Sequence, residues 1–493
     1  MKKKMITVSL AICAFFGARA EETGTIEPEE VRFVGLPNAP TAGNVTSESN
    51  YDARNDWPSP LTNALAWSDG KLPHYGPTYI AGRTNGADSV LWTPLADRMY
   101  NFDQFKTLIL ETGCTFCLRP AISGSFGFSF DDLRIEGAPL MWLSSGGGTH
   151  LYGKITLADG ASLTIQIYQN NTFKLHSELR GTGDVMFKNR DSSELVGNYH
   201  LNGMNTNFYG RISVQGRKRN NKYSFSNVLK TTITNGFNLG GNLESFKYDA
   251  ICLSRYGTLC CNGTGSMELP RNRGLSIGVY GGQITVSEPS GRFTVNQPVT
   301  VYSSSAYPSI LYKKGPGRLV LGNALRFTAK VEATSNDPND SKENPVNDHP
   351  FNITINEGSL AITHCDALNG AKIAFSNNTE MVMSIDLPEG DMKRYGMRYT
   401  KTKLAPFVTD VPVRLVASEG GSLTEASYSV ALCTVNEADA EDVADKLSVV
   451  LDVNNYKLGS VRSVVNEKEN EEDPVTVTFY ADILHNGLVI SVR

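Results

Sequence analysis

The chain has 493 residues, with 46 Lys and Arg against 51 Asp and Glu and a formal net charge of −5 at pH 7. That mild acidity, without a long basic stripe, leaves no electrostatic footprint for nucleic acid. Beyond residue 20 no window is apolar for the roughly 20 residues a membrane helix needs, so no transmembrane segment is expected after signal cleavage.

Residues 1–20 have the three parts of a secretory signal. Lys2, Lys3 and Lys4 form a cationic head, residues 5–17 are almost wholly apolar, and Ala18-Arg19-Ala20 is a small-x-small tail before Glu21. Cleavage after Ala20 is expected, since signal peptidase selects small residues there. The rival, a lipoprotein box at Leu10-Ala11-Ile12-Cys13, has a bulky Ile12 where a small residue is wanted. Cleavage takes Lys2, Lys3, Lys4 and Arg19 from the 46 bases and leaves 42 against 51 acids, a charge of −9. The expected location is secreted or at the cell surface.

Residues 21–90 read as an irregular N-terminal arm and first cap, the part up to 66 being rich in Pro, Asn, Thr, Ser and Glu. From Leu91 onward short alternating runs take over, at 107–110, 133–135, 154–157, 162–165 and 283–286, each ended by turn residues. Such runs are strands of period two. Helical signal is nearly absent before the last hundred residues, which disfavours crossover helices. Strand groups recur about every 20 to 25 residues, the mark of a solenoid whose turns bury their inner faces by stacking. The expectation is an all-β, right-handed parallel β-helix over 91–402. Ile212, Val214, Leu319, Leu321, Ile353 and Ile355 should face its core, each pair being two apart on one strand.

Seven cysteines follow the signal: Cys114, Cys117, Cys252, Cys260, Cys261, Cys365 and Cys433. An odd, sparse set in a long exported chain is not a disulfide framework. Cys114 and Cys117 form C-x-x-C in a strand-like stretch, where positions three apart face opposite ways, as do the adjacent Cys260 and Cys261. The basic run Arg217-Lys218-Arg219-Asn220-Asn221-Lys222 reads as a solvated loop.

Two stretches share a pattern. One runs Gly181-Thr182-Gly183-Asp184-Val185-Met186-Phe187 and closes with 207–216; the other runs Gly315-Pro316-Gly317-Arg318-Leu319-Val320-Leu321 and closes with 353–362. Both read as Gly-x-Gly, a strand, a loop, then an alternating strand, with glycine at the corners. This pattern resembles the autotransporter-associated β-strand repeat of bacterial surface β-helices, over about residues 170–365. The resemblance implies a passenger-like surface solenoid. The second unit is split by the polar stretch 333–350, which should project from a corner as a passive insertion. The family's frequent C-terminal translocator barrel is not expected, because 403–493 reads as a small β-rich capping module. Asn436 would cap a helix with Ala440, Val443, Ala444 and Leu447 in one stripe, and strands are expected at 411–416, 428–434, 475–480 and 488–492.

Sites of chemistry are weakly signalled. Asp131-Asp132 is the one adjacent acid pair in the repeat region, and alternation lets at most one member serve a cleft, where a glycosidase needs two carboxyl groups. Residues 336–343 offer oxygen ligands without the glycine and terminal Glu of a calcium loop. His74, His150, His176, His200, His349, His364 and His485 lack metal-ligand spacing. Large amphipathic rings such as Trp67, Trp92, Trp142, Tyr302, Tyr307 and Tyr312 suit a sugar-stacking face, but burial in the core or under the N-terminal arm is the expectation for each taken singly. No catalytic, cofactor-binding or metal residue is therefore expected. The functional expectation is a non-enzymatic surface or extracellular β-solenoid, structural, adhesin-like or glycan-binding, with an extracellular glycan or cell-surface partner. The alternative is a carbohydrate-active β-helix enzyme, a polysaccharide lyase or glycoside hydrolase. A lateral cleft that gathers carboxylates, or a carboxylate with Lys or Arg, from neighbouring turns would discriminate the two.

Overall fold

The structure, a computed structural model, describes residues 30–34, 61, 63–84, 86–93, 99–119, 126–143, 148–167, 171–189, 197–216, 218–219, 222–223, 229–302, 309–328, 351–363, 367, 371–376, 378–385, 411–417, 423–466 and 475–486. The core-forming pattern is plain at Ser162–Ile167, where Leu163, Ile165 and Ile167 are buried and the residues between them are half-exposed. A strand with one apolar edge must stack that edge on a neighbour, and here it does so on parallel strands of the turns before and after. Leu163 lies beside Val185, Ile251 beside Leu275, Leu275 beside Val299 and Val299 beside Leu325. These four turns take 22 to 26 residues each, and the fold is a parallel β-helix.

Three faces enclose the core. The first includes Thr172–Leu175, Gly257–Cys261, Gly282–Val286, Ile310–Lys314 and Phe351–Ile355. The second carries ten strands from Ser89–Trp92 to Leu325–Thr328. The third holds seven strands from Ser266–Glu268 to Leu447–Asp452. Toward the N-terminus the third face is continued by Thr107–Glu111, the far ends of Phe126–Glu136 and Thr149–Leu157, and Glu178–Gly181. The long strands bend onto it at a register shift between Phe130 and Leu133 and at Gly153, whose φ is +94°.

Ile212, Val214, Leu319, Leu321, Ile353 and Ile355 all lie in the core at 1% exposure or less. The glycines of both repeat units sit at corners. Gly181 (φ +89°) and Gly315 (φ +74°) each hold backbone that an L side chain rarely adopts, and a Cβ there would strike the carbonyls of Leu157 and Val286 in the preceding turn. The insertion at 333–350 lies outside the described residues.

Between residues 203 and 241 the third face is not a strand. A short 3-10 helix, Gly236–Leu239, stands there instead. Buried asparagines bind the backbone in its place: Asn205 Oδ1 accepts from Leu179 N (2.8 Å), and Asn238 Nδ2 donates to Gly203 O (2.9 Å). Arg273, wholly buried, completes the repair. Its Nε donates to Gly241 O (2.7 Å), Nη1 to Gly210 O (2.9 Å) and Nη2 to Phe208 O.

At the C-terminal end Val411–Val416 adds to the third face in parallel, and Leu447–Asp452 adds next to it. Ser427–Asn436, Thr476–His485 and Tyr456–Asn466 form a separate three-stranded antiparallel sheet. The expected helix follows a 3-10 turn, runs Ala440–Lys446 and buries Val443. The strand expected at 488–492 lies outside the described residues. No helix among the described residues is long and apolar enough to cross a membrane.

Candidate functional site

The third face turns its charged residues outward in register. Arg292 lies beside Arg318, Arg318 beside Ser359, and Ser359 beside Glu380. Their chain neighbours Phe293, Leu319, Leu360 and Met381 point inward and are buried, so alternation alone fixes this row on the outside. The row borders a groove of about 730 Å³ floored by the corner residues Pro289, Gly291, Pro316 and Gly358 and closed at its far end by Pro412, Arg414 and Val450. This volume falls in the range of small-ligand clefts.

The corners are held from beneath. Lys313, fully buried, donates from Nζ to Gly315 O (2.6 Å) and to Glu357 O (2.9 Å) across two turns, while Gly315 N donates to Glu357 Oε2 (2.9 Å). Burial pushes the Lys313 ammonium down to about 8. This brace fixes the strands that start at Arg318 and Ser359.

Charge within the groove is uneven. Three guanidiniums, Arg292, Arg318 and Arg414, face one carboxylate, Glu380. Arg414 Nε donates to Glu380 Oε2 (2.8 Å) and its Nη1 to Asp452 Oδ2 (3.3 Å), and the Glu380 bond leads in raising the guanidinium above its ordinary value. Arg318 Nε donates to the Ser359 hydroxyl (3.2 Å), and Arg318 has no carboxylate partner among the described residues. Beyond this row Val320, Ala361 and Val382 form a small buried cluster of their own on the outward side, with Val416 against it. Such a surface can hold an oxyanion by charge-assisted, forked hydrogen bonds. Paired-carboxyl chemistry is not built into this lining, because it carries a single acid.

The chain matches no known protein family, curated protein or solved structure.

The residues singled out in the sequence fall elsewhere. Asp131 and Asp132 sit at the register shift between Phe130 and Leu133, a corner where simple alternation does not apply. Asp132 accepts from Thr156 Oγ1 of the next turn (2.8 Å), near the pairs Arg134–Glu136 (2.8 Å) and Arg180–Glu178 (2.7 Å), each formed within one strand of a lateral strip. Trp67 is in the core against Tyr79 (5.0 Å between rings). Trp92 and Trp142 flank Cys117 in register on the second face, nearly buried, and Tyr302 is buried as well. Tyr312 is partly exposed beside Tyr256 (6.5 Å); Tyr307 lies outside the described residues. Cys114 joins the main core cluster while Cys117, also fully buried, does not, and Cys261 joins the core while Cys260 meets Ser287 (3.2 Å). Within the basic run Lys218–Arg219 pairs with Lys222–Tyr223 as a small antiparallel hairpin. Residues 336–343 lie outside the described residues.

Two histidines that looked scattered meet on the first face. His150 Nδ1 lies 3.0 Å from His176 Nε2, and Tyr152 stacks on His176 with ring centres 4.5 Å apart. Their separation of 26 residues is about one turn of the helix, and that period was the available signal. Burial first, then Lys174, holds the imidazoles of His150, His176 and His200 below the ordinary histidine value. A folded pKa below the unfolded one means the unfolded chain binds more protons as pH falls past about 6.5. Their contribution to stability is complete above that pH and is lost as the solution acidifies through the window. The melting temperature should therefore fall between about pH 7 and pH 5, and fall less in His176→Phe, which keeps the stack. Identical slopes for the two proteins would contradict this role.

Proposed function

We propose that the chain is an exported, non-enzymatic β-solenoid of the cell surface or extracellular space that binds glycan in the third-face groove. The observation that carries this reading is the groove itself: polar and guanidinium side chains from successive turns line one continuous channel, which suits a long ligand lying along the helix axis. The signal-like residues 1–20 and the likeness of 181–216 and 315–362 to the autotransporter-associated repeat support an export route and a surface setting. A rigid stack of parallel turns supports a scaffold or adhesin role.

The second reading, a carbohydrate-active enzyme, is favoured by one observation: an acid and an arginine from neighbouring turns do approach one another, at Glu380 with Arg414. Glu380 is engaged by Arg414, and Glu136 and Glu178 of the strip pair with Arg134 and Arg180, which favours binding over bond cleavage. The full chain passed through immobilised glycans of varied charge is expected to be retained by at least one, with no new reducing ends and no unsaturated product released. Cleavage of a retained glycan would replace this reading with the enzymatic one.

A further inference from the structure

Tyr456–Asn466 is an edge strand of the three-stranded sheet, paired on one side with Thr476–His485. Val461 lies in register with Ala481 and Val465 with Val477. Opposite residues of an antiparallel pair share a face, and Ala481 and Val477 are buried in the core. Val461 and Val465 therefore point to the side on which the sheet packs, yet they are 43% and 59% exposed. Natural proteins blunt an open edge with short length, proline, charge or a bulge. This strand is eleven residues long, and beyond its bulge between Leu458 and Ser460 the one charged residue is Arg462, whose Nε donates to Asp482 Oδ2 (3.0 Å) within the same sheet. The edge from Ser460 to Asn466 is thus open beside an uncovered apolar strip.

We infer that a second copy of this chain occupies the edge, the two Tyr456–Asn466 strands pairing antiparallel about a two-fold axis at Ser463. The strand is complementary to itself in that register. Val461 of each copy meets Val465 of the other, Ser460 meets Asn466, Arg462 meets Val464 and Ser463 meets its own counterpart, so no like charges stand opposite one another. Charge at the two ends agrees with this pairing, which lays the start of one strand against the end of the other. The start carries Lys457, while the sequence that follows Asn466 holds Glu467, Glu469, Glu471, Glu472 and Asp473 against Lys468. Opposite charges therefore meet at both ends of the pair, which favours this orientation over a parallel one. The contact is one strand pair wide and small beside a standard interface, so the dimer forms only as concentration rises. A two-fold contact closes on itself and builds no filament. The inference stands apart from the glycan-binding reading, because the groove lies on the third face and the edge belongs to a separate sheet.

Sedimentation velocity of the full chain is expected to show a monomer that passes to a dimer, and no further, as concentration rises. Ser463 is exposed in the single chain, so Ser463→Lys and Ser463→Asp should fold as the native chain does. Each places like charges opposite one another at the axis and should weaken association by about tenfold or more. Mixed in equal amounts the two variants should associate again, because Lys then meets Asp; a change that merely disturbed the fold is not rescued in this way. Hydrogen exchange of residues 460–466 should slow with rising concentration in the native chain, and in neither variant alone. A monomer at every concentration overturns the inference. A dimer that both variants leave intact overturns it as well, since the contact then lies elsewhere. So does a monomer whose 460–466 amides are protected only while residues 487–493 are present, which makes that segment the occupant.

Discussion

Ile353→Asp is expected to unfold the turns around the first face between residues 310 and 375. Ile353 is fully buried and lies in register between Leu311 and Ile373, themselves buried. A carboxylate placed there has no partner in the apolar interior, and the penalty for an isolated buried charge is several kcal/mol. Ile353→Val, which keeps the shape, should cost only about 0.5 to 1.5 kcal/mol. Thermal melting followed by circular dichroism separates the two. An Asp variant that melts with the native chain would mean that residue 353 does not face the core.

Arg273→Met should be the second most damaging change, for a different reason. The Arg273 side chain is buried and donates to the carbonyls of Phe208, Gly210 and Gly241, and burial pushes its guanidinium down to about 10. Methionine fills similar volume but leaves interior carbonyls without that donor, at a cost of about 3 to 5 kcal/mol. The loss should be felt first where the third face lacks a strand, between residues 203 and 241, because a stack of turns opens locally. Hydrogen exchange should therefore rise there before it rises at Gly282–Val286. Uniform exchange, with stability unchanged, would show that other groups carry the repair.

Much of this architecture was legible in the sequence. The alternation at Leu163, Ile165 and Ile167 and at Ile353 and Ile355 gives both strand and inward face, because a period of two admits no other assignment on a one-sided strand. The corner glycines Gly181 and Gly315 were legible for their unusual backbone. The groove was not legible. Arg292, Arg318, Ser359 and Glu380 are 26, 41 and 21 residues apart along the chain, and only parallel stacking makes them neighbours; the long middle interval contains the 333–350 insertion, which hides the period. His150 and His176 were missed for the same reason, since spacing rules for helices and hairpins do not test separations of one solenoid turn. Arg273 was invisible because its value lies in carbonyls left open by a missing strand over 60 residues away in sequence. At the C-terminal end the strands at 411–416 and 428–434 could be read from alternation, but not that the first extends the third face in parallel while the second joins an antiparallel sheet. Pairing partners are a property of the assembled fold.

The most direct test of the central claim is a crystal structure of the full chain with an oligosaccharide of the glycan that the immobilised panel retains. An intact oligosaccharide lying along the third-face groove is the predicted result. A sugar chain bound on another face, or one cleaved between its rings within the groove, would contradict the account.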